Sequence, residues 1–123
     1  MKREVFERLV AEALDGLPEQ LRTHMENVEV IIAEWPSARD LAEAGMEKNE
    51  RAELLGLYSG VPLTERDTGY AVLPDRITLF QRSIQRVTGS DPEAIREEVR
   101  ITVVHEVAHH FGISDERLEE LGW

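Results

Sequence analysis

The chain is expected to form a single α+β domain with a small sheet, and three features of its sequence lead to that class. Apolar residues in the first segment repeat at helical spacing. Short runs rich in β-branched residues sit in the middle. A long helical pattern near the end carries three of the four histidines within six residues. At 123 residues the chain is long enough for one modest core without staples. We therefore read residues 1–123 as one domain, with neither an internal repeat nor a low-complexity tract to divide it.

The elements follow in order. Val5, Phe6, Leu9, Val10, Ala13, Leu14 and Leu17 fall on one helical stripe, so the first segment is an amphipathic helix that packs on something. "GLPEQL" breaks it, and Pro18 can open a short helix carrying Leu21 and Met25. "VEVIIAEWP" concentrates β-branched residues before Pro36 and reads as a strand. "ARDLAEAGMEKNERAELLGLY" reads as a short helix or irregular stretch leading to a strand near Leu55–Tyr58. "SGVPLTERDTGYAVLPD" has the composition of a long loop, and "RITLFQRSI" reads as a strand alternating Ile77 and Leu79 against Thr78 and Phe80. "TGSDPEAIREEVRITVVHEVAHHFG" is the clearest helix. Ser90 or Asp91 is its expected cap, Pro92 fits its first turn, Glu93 suits a capping box, and Gly112 ends it. Ser114 then caps a last short helix that starts with Asp115 and Glu116.

Charge excludes several functions. With 14 basic and 25 acidic residues the net charge is -11, which disfavours binding to nucleic acid or to an anionic membrane surface. The absence of cysteine rules out disulfides and thiolate metal sites, so any metal must use histidine and carboxylate ligands. The first residues lack the apolar core of a signal peptide, and no stretch reaches the roughly 20 apolar residues of a membrane span. A cytoplasmic protein is expected.

At about 100° per residue, His105 and His109 lie some 40° apart on one face of the long helix. Ile101, Val103, Val104, Val107, Ala108 and Phe111 sweep the opposite side, so an apolar stripe anchors the helix while two imidazoles project together. Glu106 flanks the pair, too close along the chain to His105 to share a metal comfortably but placed to reach a water beside it. This is the mechanical sense of H-E-x-x-H: two metal ligands one turn apart and a glutamate as general base. A catalytic zinc usually takes a third protein ligand. Asp115 stands three residues after Gly112, where it either supplies that ligand or simply starts the last helix. Glu116, Glu119 and Glu120 are the other carboxylates within reach.

The pattern His105-Glu106-x-x-His109-x-x-Gly112-x-x-Asp115 resembles the extended zincin motif in its aspartate form. With "LLGLYSGVPLTER", "LPDRITLFQRSI" and "VVHEVAHHFGISDERLEELGW", the chain is similar over most of its length to the small bacterial zincin-like metallopeptidases, or minimal zincins. The resemblance implies a backing N-terminal helix, a small mixed sheet and a metal-binding helix. It further implies Zn2+ held by His105, His109 and Asp115, with Glu106 as catalytic base. Met1, Met25 and Met46 all precede the motif, so the Met-turn of metzincins is not expected, nor a second wall for large substrates. The expected activity is therefore hydrolysis of peptide bonds in short or flexible peptides. The alternative is a non-catalytic zinc-binding or protein-interaction module on the same scaffold.

Secondary expectations concern single residues. Tyr70 and Arg82 are either donors to a developing oxyanion or surface residues, and Arg76–Phe80 is either an edge strand for an extended peptide or an ordinary interior strand. Glu98 is placed either to support a ligand imidazole or on a solvated face. His110 reads as an exposed or partly packed residue, or as a support for the site from outside the ligand pair; His24 reads as a surface residue, and Trp35 and Trp123 as packing residues, with Trp123 near the edge of the site.

Overall fold

The computed structural model describes residues 1–60 and 74–123. Helix α1 (Arg3–Asp15) forms along the expected stripe and buries Phe6, Leu9, Val10 and Ala13. Each such side chain removed from water contributes about 1.5–3 kcal/mol, less for alanine. Leu17, past the end of α1, continues into the same core. Pro18 precedes α2 (Glu19–His24) as its cap residue, and Leu21 of α2 is fully buried.

Three strands make one mixed sheet. Strand β1 (Val28–Ala33) runs parallel to β3 (Asp75–Phe80), and β2 (Gly56–Ser59) runs antiparallel to β3, giving the order β1-β3-β2. A parallel pair needs a long crossover. Here it runs through α3 (Ala38–Glu43), whose Ser37–Asp40 capping box is complete, a 3-10 turn (Lys48–Glu53), and β2. The alternation read in β3 sorts its residues between two cores. Ile77 and Leu79 face the helices, while Phe80 joins Leu41, Leu54 and Leu57 in a smaller cluster.

One expectation for this region is corrected. The strand "RITLFQRSI" stops at Phe80, and α4 (Gln81–Thr88) begins at the next residue. Gln81, Ser83 and Ile84 turn inward there, and Ser83 Oγ donates to the Arg51 carbonyl at 3.2 Å, which a continued strand would forbid. Of the two readings of Arg76–Phe80, the interior strand holds: β3 is central, with both sides of its ladder occupied by β1 and β2. The long loop expected between β2 and β3 falls mostly outside the described residues.

Helix α5 (Pro92–His110) is the spine of the domain. Ile95, Val99, Val103 and Val107, four residues apart, are all fully buried, and α1 and α4 pack on this stripe. Asp91 is its cap residue but makes no side-chain cap bond, and the expected box with Glu93 does not form. Pro92 suits the first position, having no N–H to satisfy and a φ fixed near that of a helix. The last helix, α6 (Asp115–Leu121), seals the core with Leu118. The sheet, α1 as backing helix and α5 together make the expected α+β architecture. Among the described residues no helix is long and apolar enough to cross a membrane.

Candidate metal centre

The site grows from the last two turns of α5. Val103, Val104, Val107 and Ala108 fix the inner face of the helix in the core. His105 and His109 therefore project together from the outer face, their ring centroids 5.8 Å apart. The helix then ends in a Schellman turn. The Gly112 N–H donates to the His109 carbonyl at 3.1 Å and the Ile113 N–H to the Ala108 carbonyl at 2.8 Å. Gly112 takes φ +76°, which only glycine adopts at little cost, and the chain doubles back toward the imidazoles.

Asp115 arrives there as the first residue of α6. Its Oδ1 lies 3.0 Å from His109 Nε2 and 3.7 Å from His105 Nδ1. The two readings of Asp115, helix start or ligand, turn out to be compatible. Ser114 performs the capping, its Oγ accepting from the Arg117 N–H at 3.1 Å, so the aspartate carboxylate is left to face the histidines. The other nearby carboxylates do not join this group, and Glu120 pairs with Arg117 instead.

The hydrogen bond from His109, reinforced by the charges of His109 and His105, holds the Asp115 carboxyl below the usual aspartate range. Glu106 behaves oppositely. It is half-buried, and burial pushes its carboxyl upward against the pull of a hydrogen bond from the Tyr58 N–H and of the two imidazoles. That bond spans 3.3 Å to Oε2 and crosses from β2 to α5. Gly56 makes the crossing possible, because a Cβ there would stand 2.6 Å from Thr102 Cγ2. Only a glycine lets the strand press this close to the helix.

Among the described residues, one ligand atom each from His105, His109 and Asp115 lies within 4.8 Å of the others. Tetrahedral zinc with bonds of about 2.0–2.1 Å separates its ligand atoms by roughly 3.3–3.4 Å. The 3.0 and 3.7 Å contacts of Asp115 straddle that value. Two imidazoles and one carboxylate form a donor set that zinc accepts, with a fourth position left for solvent or substrate.

Arg82 takes the surface role: its exposed side chain pairs with Glu34 at 3.3 Å. Spacing puts Phe111 on the buried side of the helix, yet it is 43% exposed, because α5 has already ended there. His24 is exposed as expected, its ring 4.7 Å from that of Phe111. His110 is exposed as expected but stacks on Tyr58. Glu98 makes no hydrogen bond to either imidazole among the described residues, and Trp123 packs against the main core. Tyr70 lies outside the described residues. The residue missed altogether is Tyr58, whose contact with Glu106 spans 48 positions and leaves no local trace in the sequence.

Comparison with known proteins bears on the fold and the family. A conserved hypothetical protein from Thermus thermophilus has a similar solved structure, with a TM-score of 0.53 and 25% sequence identity. The match covers 98% of this chain and 97% of that one. A search of curated proteins gives no significant match. The family model for zincin-like metallopeptidases matches residues 25–123, which takes in the whole sheet, α5 and the His-His-Asp group. The chain belongs to the zincin-like metallopeptidase family.

Proposed function

We propose that this protein is a zinc-dependent peptidase acting on short or flexible peptides. His105, His109 and Asp115 would hold the ion, and their donor chemistry and spacing support that role. Zinc, when bound, supplies Lewis acidity that acidifies a water and polarises a carbonyl. The chain's own contribution is proton handling. Glu106 accepts a proton from the attacking water and returns it to the leaving amine, for which a half-buried carboxyl with a raised proton affinity is suited. The single observation carrying this reading is that Glu106 flanks the His-His-Asp group with Oε2 held by the Tyr58 N–H. The aspartate and both histidines are exposed, an arrangement open to a flexible chain.

Glu106→Gln in the zinc-loaded protein provides the test, with a peptide library read by mass spectrometry. General-base catalysis contributes about 10²–10⁴-fold, so hydrolysis should fall at least a hundredfold while zinc content stays unchanged. Equal cleavage by the variant would refute the assigned base. A zinc-loaded parent that cleaves nothing would instead favour a non-catalytic metal-binding module.

A further inference from the structure

We infer that Tyr58 is a positioning residue that holds Glu106 in place through its backbone while its side chain is pinned from two sides. The inference rests on the peptidase reading only for its consequence in catalysis; the geometry stands apart from it. Glu106 and His110 are four residues apart on α5 and so lie one turn apart on one face. Tyr58 straddles that turn. Its N–H donates to Glu106 Oε2 at 3.3 Å, and its ring stacks on His110 with centroids 4.0 Å apart and planes 22° from parallel. Its hydroxyl donates to Asp75 Oδ2 at 2.7 Å. Asp75 is a firm anchor: it is buried, it opens the central strand β3, and its carboxylate also lies 3.6 Å from His110 Nε2.

The contacts form a closed loop. The side chain of Tyr58 is fixed between the central strand and His110, Gly56 two residues earlier lies against Thr102, and Ile77 pairs with Tyr58 across the ladder. The backbone N–H between these supports has little freedom, so it presents one direction to the carboxylate. With Oε2 engaged, Oε1 is left to take the proton. A carboxylate free to rotate would spend part of its time facing away from the reacting water, and small misplacements of catalytic groups are costly.

Tyr58→Phe tests this, because phenylalanine keeps the ring and the backbone N–H but loses the bond to Asp75. Amide hydrogen exchange of the full chain, followed by NMR, reads the proposed bond directly. The residue-58 amide should exchange about tenfold faster in Tyr58→Phe and in Glu106→Ala, while the Ile77 and Leu79 amides, which report sheet opening, stay unchanged. Asp75→Asn, which retains an acceptor, should keep the protection. With zinc bound, kcat of Tyr58→Phe should fall about tenfold, with KM and zinc content unchanged. Unchanged residue-58 exchange in Tyr58→Phe would overturn the inference whether or not the protein cleaves peptides. A parent that binds zinc and hydrolyses nothing would overturn the peptidase reading alone, with exchange still deciding the role of Tyr58.

Discussion

Gly112 links folding to the metal centre, and Gly112→Ala tests that link quantitatively. The backbone there has φ +76°, and a Cβ would meet nothing within 4 Å, so the substitution introduces torsional strain and no clash. A left-handed L-residue costs about 1–2 kcal/mol. At roughly 2.1 cal/mol/K of unfolding entropy per residue, that strain lowers Tm by about 4–8 °C for a chain of 123 residues. Gly122→Ala is the matched control, with φ +74° and equally open space at the far end of α6. Both variants should lose similar stability without metal. Only Gly112→Ala can relax by opening the turn that brings Asp115 to His109, and zinc must then close it again. The strain sets the upper limit of the effect, about 5- to 30-fold weaker zinc binding. Calorimetry in chelator and zinc competition with a chromophoric chelator measure the two quantities. Parental zinc affinity in a destabilised Gly112→Ala would refute the claim that this turn aims Asp115.

Other outcomes follow from packing and charge. Phe6→Ala removes a fully buried ring from the contact of α1 with α5, which should cost about 3–5 kcal/mol in urea unfolding; a loss under 1 kcal/mol would mean that α1 is not a structural support. In zinc-free protein, burial makes the folded Glu106 hold its proton to higher pH than the unfolded chain does. Stability from this group is therefore complete below the ordinary glutamate range, near 4.3, and declines as pH rises through the raised folded value. Glu106→Gln should remove that decline and be the more stable form at neutral pH; superimposable stability profiles would contradict the burial argument. Asp115 works with the opposite sign, since the hydrogen bond from His109 lowers its folded value. Asp115→Asn should flatten the loss of stability on acidification below the ordinary aspartate range, as measured by thermal unfolding in chelator.

Much of the site is legible in the sequence because it is written in helical periodicity. His105 and His109 share a face and Val103, Val104 and Val107 occupy the other, a fact of spacing that holds wherever the helix packs. Gly112 and Ser114 signal the turn and the new helix, and both do what their chemistry suggests. The failures lie where a local pattern meets a tertiary choice. Nothing in "LFQRSI" marks a break between strand and helix, and the inward turn of Ser83 toward Arg51 decides it. The central place of β3 depends on β1 and β2 closing on it from both sides, which strand composition does not encode. Phe111 continues the apolar stripe on paper, but α5 stops one residue too soon to bury it. Tyr58 reads as an ordinary strand aromatic; its importance comes from Glu106, His110 and Asp75, which only the folded chain brings around it.

Zinc stoichiometry is the most direct measurement of whether His105, His109 and Asp115 act together. Protein saturated with zinc, freed of excess metal and analysed by mass spectrometry should hold one equivalent per chain. His105→Ala, His109→Ala and Asp115→Ala should each hold almost none under the same wash. A parent without zinc, or an Asp115→Ala variant that keeps its full equivalent, would contradict the three-residue centre.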